Sequence, residues 1–168
     1  MDVSIKHKQF IFFSHMNQQE FTAMIQDTDY HFFIFSCPAI VPFHFALHTW
    51  IVITYPDGKI VRWDFCHFKN KTNSSLDYLQ KNRLQPREWI YKYFWGMERF
   101  QSSLLYHCSG NWDSLSYKII SFIENNVENY PHKHHYRLVW HNSNFFTQWI
   151  LNQFPEINCK LPRNAIGK

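Results

Sequence analysis

Apolar and polar residues fall along this chain in short blocks whose period changes several times. His31 to Cys37, HFFIFSC, is a continuous apolar run of strand length that Pro38 ends. Phe43 to Thr54, FHFALHTWIVIT, is rich in aromatic and β-branched residues and is the strongest strand signal. Pro56-Asp57-Gly58-Lys59 then reads as a turn with Asp-Gly at its centre, and Ile60 to Phe68, IVRWDFCHF, as the returning strand of a hairpin. Later the period becomes helical. Asp113 is placed as the N-cap of a helix over Ser114 to Asn129, with Leu115, Ile119, Phe122, Ile123 and Val127 on one face. Tyr136 to His141 reads as a short buried strand, Asn142-Ser143-Asn144 as a corner, and Asn144 to Phe154 as an amphipathic helix stopped by Pro155.

The remaining stretches are less regular. Phe10 to Phe13 reads as an edge strand or packed arm, and Asn17 to Thr28 as a short helix carrying Phe21, Met24 and Ile25. Lys69 to Ser75 is a polar loop, and Cys108 to Asn111 is read as another. Leu76 to Leu84 and Arg87 to Tyr106 carry mixed patterns, with Pro86 placed to open a helix towards Trp95. Strands, loop, helix, strand and helix in that order predict an α+β fold with an antiparallel sheet. A chain of 168 residues suits one domain over 1–168, with 1–30 as an N-terminal arm and helix.

Composition refines this picture. Hydrophobic residues make up 45% and include 17 Phe and 7 Trp, enough for a core and for apolar surface left over for a ligand. The net charge of +4 permits contact with acidic surfaces without demanding it, and no Lys/Arg run forms a polybasic patch. Cys37, Cys66, Cys108 and Cys159 show no C-x-x-C spacing and read as buried apolar residues. With no secretory signal and no apolar stretch of membrane-spanning length, the expected setting is cytoplasmic, or a cytoplasm into which the chain is delivered.

The chemistry concentrates at the Asn142-Ser143-Asn144 corner. Asn142 or Ser143 is a natural helix cap, because side-chain oxygens satisfy free backbone N–H groups. The functional alternative is Ser143 as a nucleophile at the positive end of a helix, where N–H groups stabilise an oxyanion and Asn142 or Asn144 assists. A serine hydroxyl needs a general base. His48 is the candidate, because it interrupts an apolar strand where an ionisable group requires a partner. The returning strand offers Asp64 and His67 to orient the imidazole. A two-residue Asp57-Gly58 loop sets His67 opposite His48, whereas one extra loop residue sets Asp64 opposite Trp50 on the His48 face. His132, His134 and His135 form a His-rich loop without ligands at metal spacing, so neither metal nor cofactor is called for. Cys66 and Cys108 have no adjacent base.

Three segments resemble the DUF3750 family: His48-Thr49-Trp50-Ile51, then Asn142-Ser143-Asn144, then Leu161-Pro162 with Ala165-Ile166-Gly167-Lys168. The family pattern carries H-T-W-I, G-P-N-S-N-T-F and L-P-P-T-A-I-G-K in that order, and the resemblance runs from about His31 to Lys168. The chain differs at His141, Phe145 and Arg163-Asn164. The resemblance implies a circularly permuted papain-like fold, similar to the NlpC/P60, LRAT-like and PPPDE-type groups. In those, a histidine on an early strand meets a cysteine at the start of a later helix. By that comparison His48 matches the histidine and Ser143 stands where the cysteine would be. The implied activity is a hydrolase or acyltransferase acting on an amide, ester or thioester bond of a peptide or lipid. A second reading keeps the same cleft as a catalytically inactive lipid- or peptide-binding module. A third, single-stranded nucleic-acid binding by aromatic stacking, ranks last because no RNA-binding signature is present.

Overall fold

A computed structural model of the chain describes residues 14–25, 28–39, 42–87 and 102–168. Among the described residues six antiparallel strands form one sheet in the order β1-β6-β2-β3-β4-β5. They are β1 (Ser14–His15), β2 (Tyr30–Pro38), β3 (Leu47–Thr54), β4 (Ile60–Phe65), β5 (Leu79–Lys81) and β6 (Ser103–Gly110). The described residues also form three α-helices: α1 (Gln18–Met24), α2 (Leu115–Asn126) and α3 (Ser143–Leu151). The fold is α+β with an antiparallel sheet, as the pattern predicts.

Strand β2 lies between β6 and β3 and is covered on both faces, which explains its unbroken apolar run. Its side chains alternate between two cores. Phe32 and Ile34 join the larger cluster under α2 and α3, while Phe33, Phe35 and Cys37 join a smaller one with Phe21 of α1. Strand β3 divides the same way, with Ile51 and Ile53 in the larger cluster and Trp50 and Val52 in the smaller. Helix α3 packs on β3, and α2 on β2 and β6.

The β3–β4 hairpin turns through a three-residue loop. The Tyr55 N–H bonds Lys59 O at 3.0 Å and the Gly58 N–H bonds Tyr55 O at 2.9 Å, with Gly58 at φ +79°. Gly58 takes a left-handed conformation that side-chain-bearing residues adopt only with strain. The register that follows pairs Ile51 with Trp63 and Thr54 with Ile60.

Several boundaries differ from those read in the sequence. The hairpin strands are shorter, starting at Leu47 rather than Phe43 and ending at Phe65 rather than Phe68. Residues Cys108 to Gly110, read as loop, belong to β6 and pair with β2; the polar Ser103, His107 and Ser109 masked the strand. Asp113 sits at φ +69°, so Ser114 caps α2 instead, its hydroxyl accepting from the Tyr117 N–H at 3.2 Å. Tyr136 to His141 is not a strand. The Arg137 N–H bonds His141 O to close a turn, Leu138 to Trp140 are exposed, and His141 at φ +52° swings the chain into α3. A strand-like run without a sheet edge to join forms no ladder. The Phe10–Phe13 run and the helix drawn from Pro86 towards Trp95 lie outside the described residues, apart from a turn at Pro86-Arg87. No described helix is long and apolar enough to cross a membrane.

Candidate functional site

The end of β3 next to the β2–β3 connection is where the corner docks. The β3–β4 ladder stops at Ile51–Trp63. Counting by twos from the Tyr55 N–H, which faces β4, the Thr49 N–H points to the same side, now without a strand partner. Ser143 Oγ fills that position, accepting from the Thr49 N–H at 3.3 Å. The serine oxygen therefore touches the peptide group that follows His48. The Thr49 side chain holds α3 in place: Thr49 Oγ1 donates to Asn144 Oδ1 at 3.1 Å and lies 2.9 Å from Thr147 Oγ1. All four residues are buried.

Asn142, not Ser143, caps α3. Its Oδ1 accepts from the Asn144 and Phe145 N–H groups at 3.0 and 3.2 Å. Its amide donates to Leu138 O and Ile166 O at 2.9 and 2.8 Å. The Asn144 amide donates to Leu47 O and again to Ile166 O, both at 2.9 Å. Both amides thus spend their two donors on backbone carbonyls, and neither has one left for a ligand. The Ser143 backbone N–H is the one at the helix start with no partner among the described residues. The tail is held closely: a Cβ on Gly167, at φ +85°, would collide with Val139 O and lie 2.7 Å from Asn142 Nδ2. Lys168 Nζ donates to Pro162 O at 2.7 Å and to Leu161 O.

His48 leaves β3 on the face of Trp50, opposite to Thr49. Its Nε2 lies 3.5 Å from Asp64 Oδ1, the outer limit of a hydrogen bond. Asp64 is gripped by Arg62, with Nε to Oδ2 at 2.7 Å and Nη2 to Oδ1 at 2.9 Å, a two-pronged charge-assisted contact. Arg62 Nη1 also donates to Gln85 O at 2.7 Å, and its guanidinium sits 4.5 Å over the Trp50 ring. Burial would raise the Asp64 carboxyl, but the Arg62 charge and the His48 and Arg62 hydrogen bonds bring it below the usual carboxylate range. Burial lowers the His48 imidazole, against the hydrogen bond and charge of Asp64. His48 is therefore neutral near pH 7. With Nε2–H donated to the carboxylate, the lone pair resides on Nδ1.

His67 is not brought to His48. The extra loop residue sets the hairpin one position away from the register that would pair them, and His67 lies past the end of β4, exposed, with its ring 3.7 Å from that of Phe68. Burial pushes the Cys66 thiol up and the Cys108 thiol to about 12, so both rest protonated. His132 stacks on His141 with ring centres 3.7 Å apart, and His134 Nδ1 lies 3.0 Å from Asp77 Oδ2. Among the described residues no three His, Cys, Asp or Glu side chains group to hold a metal ion.

A cavity of about 280 Å3 opens at this place. Its walls are mostly apolar, from Phe43, Phe45, Leu47, Leu138, Val139 and Ile166, and its polar groups are His48, Asn142, Ser143 and Asn144. His48 and Ser143 come from opposite faces of the sheet yet border one space because the ladder is open between them. No hydrogen bond joins their side chains.

The family model described as "Protein of unknown function (DUF3750)" matches residues 34–168. The chain belongs to the DUF3750 family. No curated protein and no solved structure matches it. In this DUF3750 chain the matched stretch begins inside β2 and covers every residue of the site. The three sequence segments that resemble the family converge on one point in space: His48 to Ile51 along β3, Asn142 to Asn144 at the start of α3, and Ala165 to Lys168 under the two asparagines. Sequence reasoning missed Arg62, and placed Thr49 and Gly167 in the family segments without a role for either. Arg62 had a legible signal, a cation two residues before Asp64 on one strand and so on the same face.

Proposed function

We propose that this DUF3750 protein is an acyl-transfer enzyme, a hydrolase or acyltransferase, in which Ser143 is the nucleophile and His48 the general base, on a circularly permuted papain-like fold. One observation carries the reading. Two complementary groups border the same cavity: a serine O–H whose oxygen only accepts in the described structure, and an imidazole whose Nε2 is committed to Asp64 and whose Nδ1 is free to accept.

In the proposed reaction Ser143 Oγ attacks the carbonyl carbon of an amide, ester or thioester, and the serine proton passes to His48 Nδ1. Asp64, kept ionised by Arg62, stabilises the imidazolium and fixes its tautomer. The Ser143 backbone N–H, supported by the α3 dipole, faces the oxyanion. Collapse breaks the bond to the leaving alcohol, thiol or amine, which takes the proton from His48. Water or a second acceptor then attacks the acyl-serine, giving its proton to His48, and the departing serine oxygen recovers it. Asn142 and Asn144 act as positioning residues that fix the helix start.

A fluorophosphonate tests this directly, since attack by Ser143 forms an O–P bond and expels fluoride. The expected adduct maps by mass spectrometry to the peptide holding Ser143 and disappears in Ser143→Ala and His48→Ala. If wild type takes up no label while Ser143→Ala keeps ligand binding, the chain is a binding module on the same fold.

A further inference from the structure

The mouth of the cavity carries side chains that neither the fold nor the acyl-transfer chemistry uses. Five large hydrophobic residues are exposed among the described residues, and four of them stand on the two loops walling this cavity: Phe45 at 60%, Leu138 and Val139 at 53%, and Trp140 at 64%. Such clustering on one rim is a recognition surface rather than scattered surface apolarity. The charge around it is one-sided. Segments 42–48, 136–145 and 161–168 contain Arg137, Arg163 and Lys168 and no Asp or Glu, in a chain holding 13 acidic residues. Arg137 and Arg163 are exposed. The segments form one continuous surface, because the Leu47 N–H bonds Asn164 O at 2.9 Å, Asn164 Nδ2 reaches Phe45 O at 3.4 Å, and Asn142 holds Ile166 O.

Exposed Trp, Phe and Leu ringed by Arg and Lys without acids match a membrane interface that bears negative charge: the apolar groups enter the acyl boundary and the cations meet the headgroups. An acidic polypeptide would answer the arginines and leave the four apolar side chains in water. We propose that this mouth docks on an anionic lipid bilayer and that the cavity behind it receives a lipid acyl chain. The docking stands by itself. That the lipid's ester or amide carbonyl then meets Ser143 rests on the acyl-transfer reading.

The test is co-sedimentation of the full chain with vesicles of phosphatidylcholine alone and of phosphatidylcholine with phosphatidylglycerol. Binding is expected with the anionic vesicles, weakened by salt and by removal of the anionic lipid. Trp140→Ala is expected to lower the partition about tenfold, from the apolar area withdrawn from the interface. The pair Arg137→Gln/Arg163→Gln is expected to lower it about twenty-five-fold, at about fivefold per cation. Trp112→Ala, an equally exposed tryptophan beyond the other end of β6, should leave it unchanged. Thermal melts establish that each variant is folded. The proposal is overturned if wild type binds neither vesicle, binds both equally, loses as much on Trp112→Ala as on Trp140→Ala, or binds polyglutamate in preference to vesicles. Fluorophosphonate labelling of wild type separates the two claims: no label on a wild-type chain that docks counts against the acyl-transfer reading alone, and Ser143→Ala, which loses the label, should still dock like wild type. Intact labelling without docking counts against the membrane proposal alone.

Discussion

Replacing Arg62 is the sharpest probe of the structure beneath the site. Its side chain is 1% exposed, grips both oxygens of Asp64 and binds Gln85 O. Arg62→Met fits the space over Trp50 but leaves a buried carboxylate without its cation. Breaking a buried pair by removing one partner costs about 3–5 kcal/mol, whereas replacing both with apolar groups is often near neutral. Arg62→Met should therefore lose about 3–5 kcal/mol in urea unfolding followed by tryptophan fluorescence, and Arg62→Met/Asp64→Leu should recover most of it. The pH dependence separates this cause from simple loss of packing. In wild type the folded Asp64 pKa lies below its unfolded value, so the stability it contributes is complete above the unfolded value near 3.9 and is lost as pH falls through the folded value. Without Arg62, burial dominates and the folded pKa lies above the unfolded one, so the variant loses stability as pH rises through that interval. Its deficit against wild type should shrink on acidification. A loss below about 1 kcal/mol, or a double variant no better than the single, would refute the reasoning.

Three further outcomes are expected. Asn142→Ala should lower stability by about 1–2 kcal/mol from the lost cap alone, and Ser143→Ala by less, since the serine's described bond is one 3.3 Å contact from Thr49; equal losses in chemical denaturation would return the capping role to Ser143. Gly167→Ala should cost about 1–3 kcal/mol because the new methyl meets Val139 O and Asn142 in a left-handed backbone, and a melt unchanged from wild type would mean that the tail is not seated there. Fluorophosphonate labelling should rise with pH to a plateau whose midpoint lies below 6.5, because the folded His48 is harder to protonate than a free imidazole; a midpoint above that value would contradict a buried neutral base.

How much was legible in the sequence follows from how local each signal is. Strands β2, β3 and β4 announced themselves because both-face burial and runs of β-branched and aromatic residues need only neighbouring residues to be recognised. Strand β6 did not, since Ser103, His107 and Ser109 read as polar until β2 is known to lie alongside. The Tyr136–His141 run misled in the other direction: Leu138, Val139 and Trp140 look buried in sequence and are exposed in space, on a loop that walls a cavity instead of entering the sheet.

The site divides in the same way. That His48 and Asp64 share a face depends on one residue of loop length, and the left-handed Gly58 supplies it. With the two-residue turn that Asp-Gly favours, His67 would stand across from His48 and the Arg62–Asp64 pair would lie on the other face. The corner shows why adjacent residues of similar type resist reading by type alone. Asn142, Ser143 and Asn144 are each plausible caps in sequence, yet only Asn142 turns its oxygen onto the helix; Asn144 is drawn to Thr49 and the tail, and Ser143 is left to border the cavity. Because both asparagines hold the Ile166 carbonyl, the carboxy-terminal segment helps fix the start of α3, where Ser143 sits. A change at Gly167 should therefore reach the serine through Asn142, which makes fluorophosphonate labelling of Gly167→Ala at a temperature where it remains folded a more sensitive reporter of the site than its melting point.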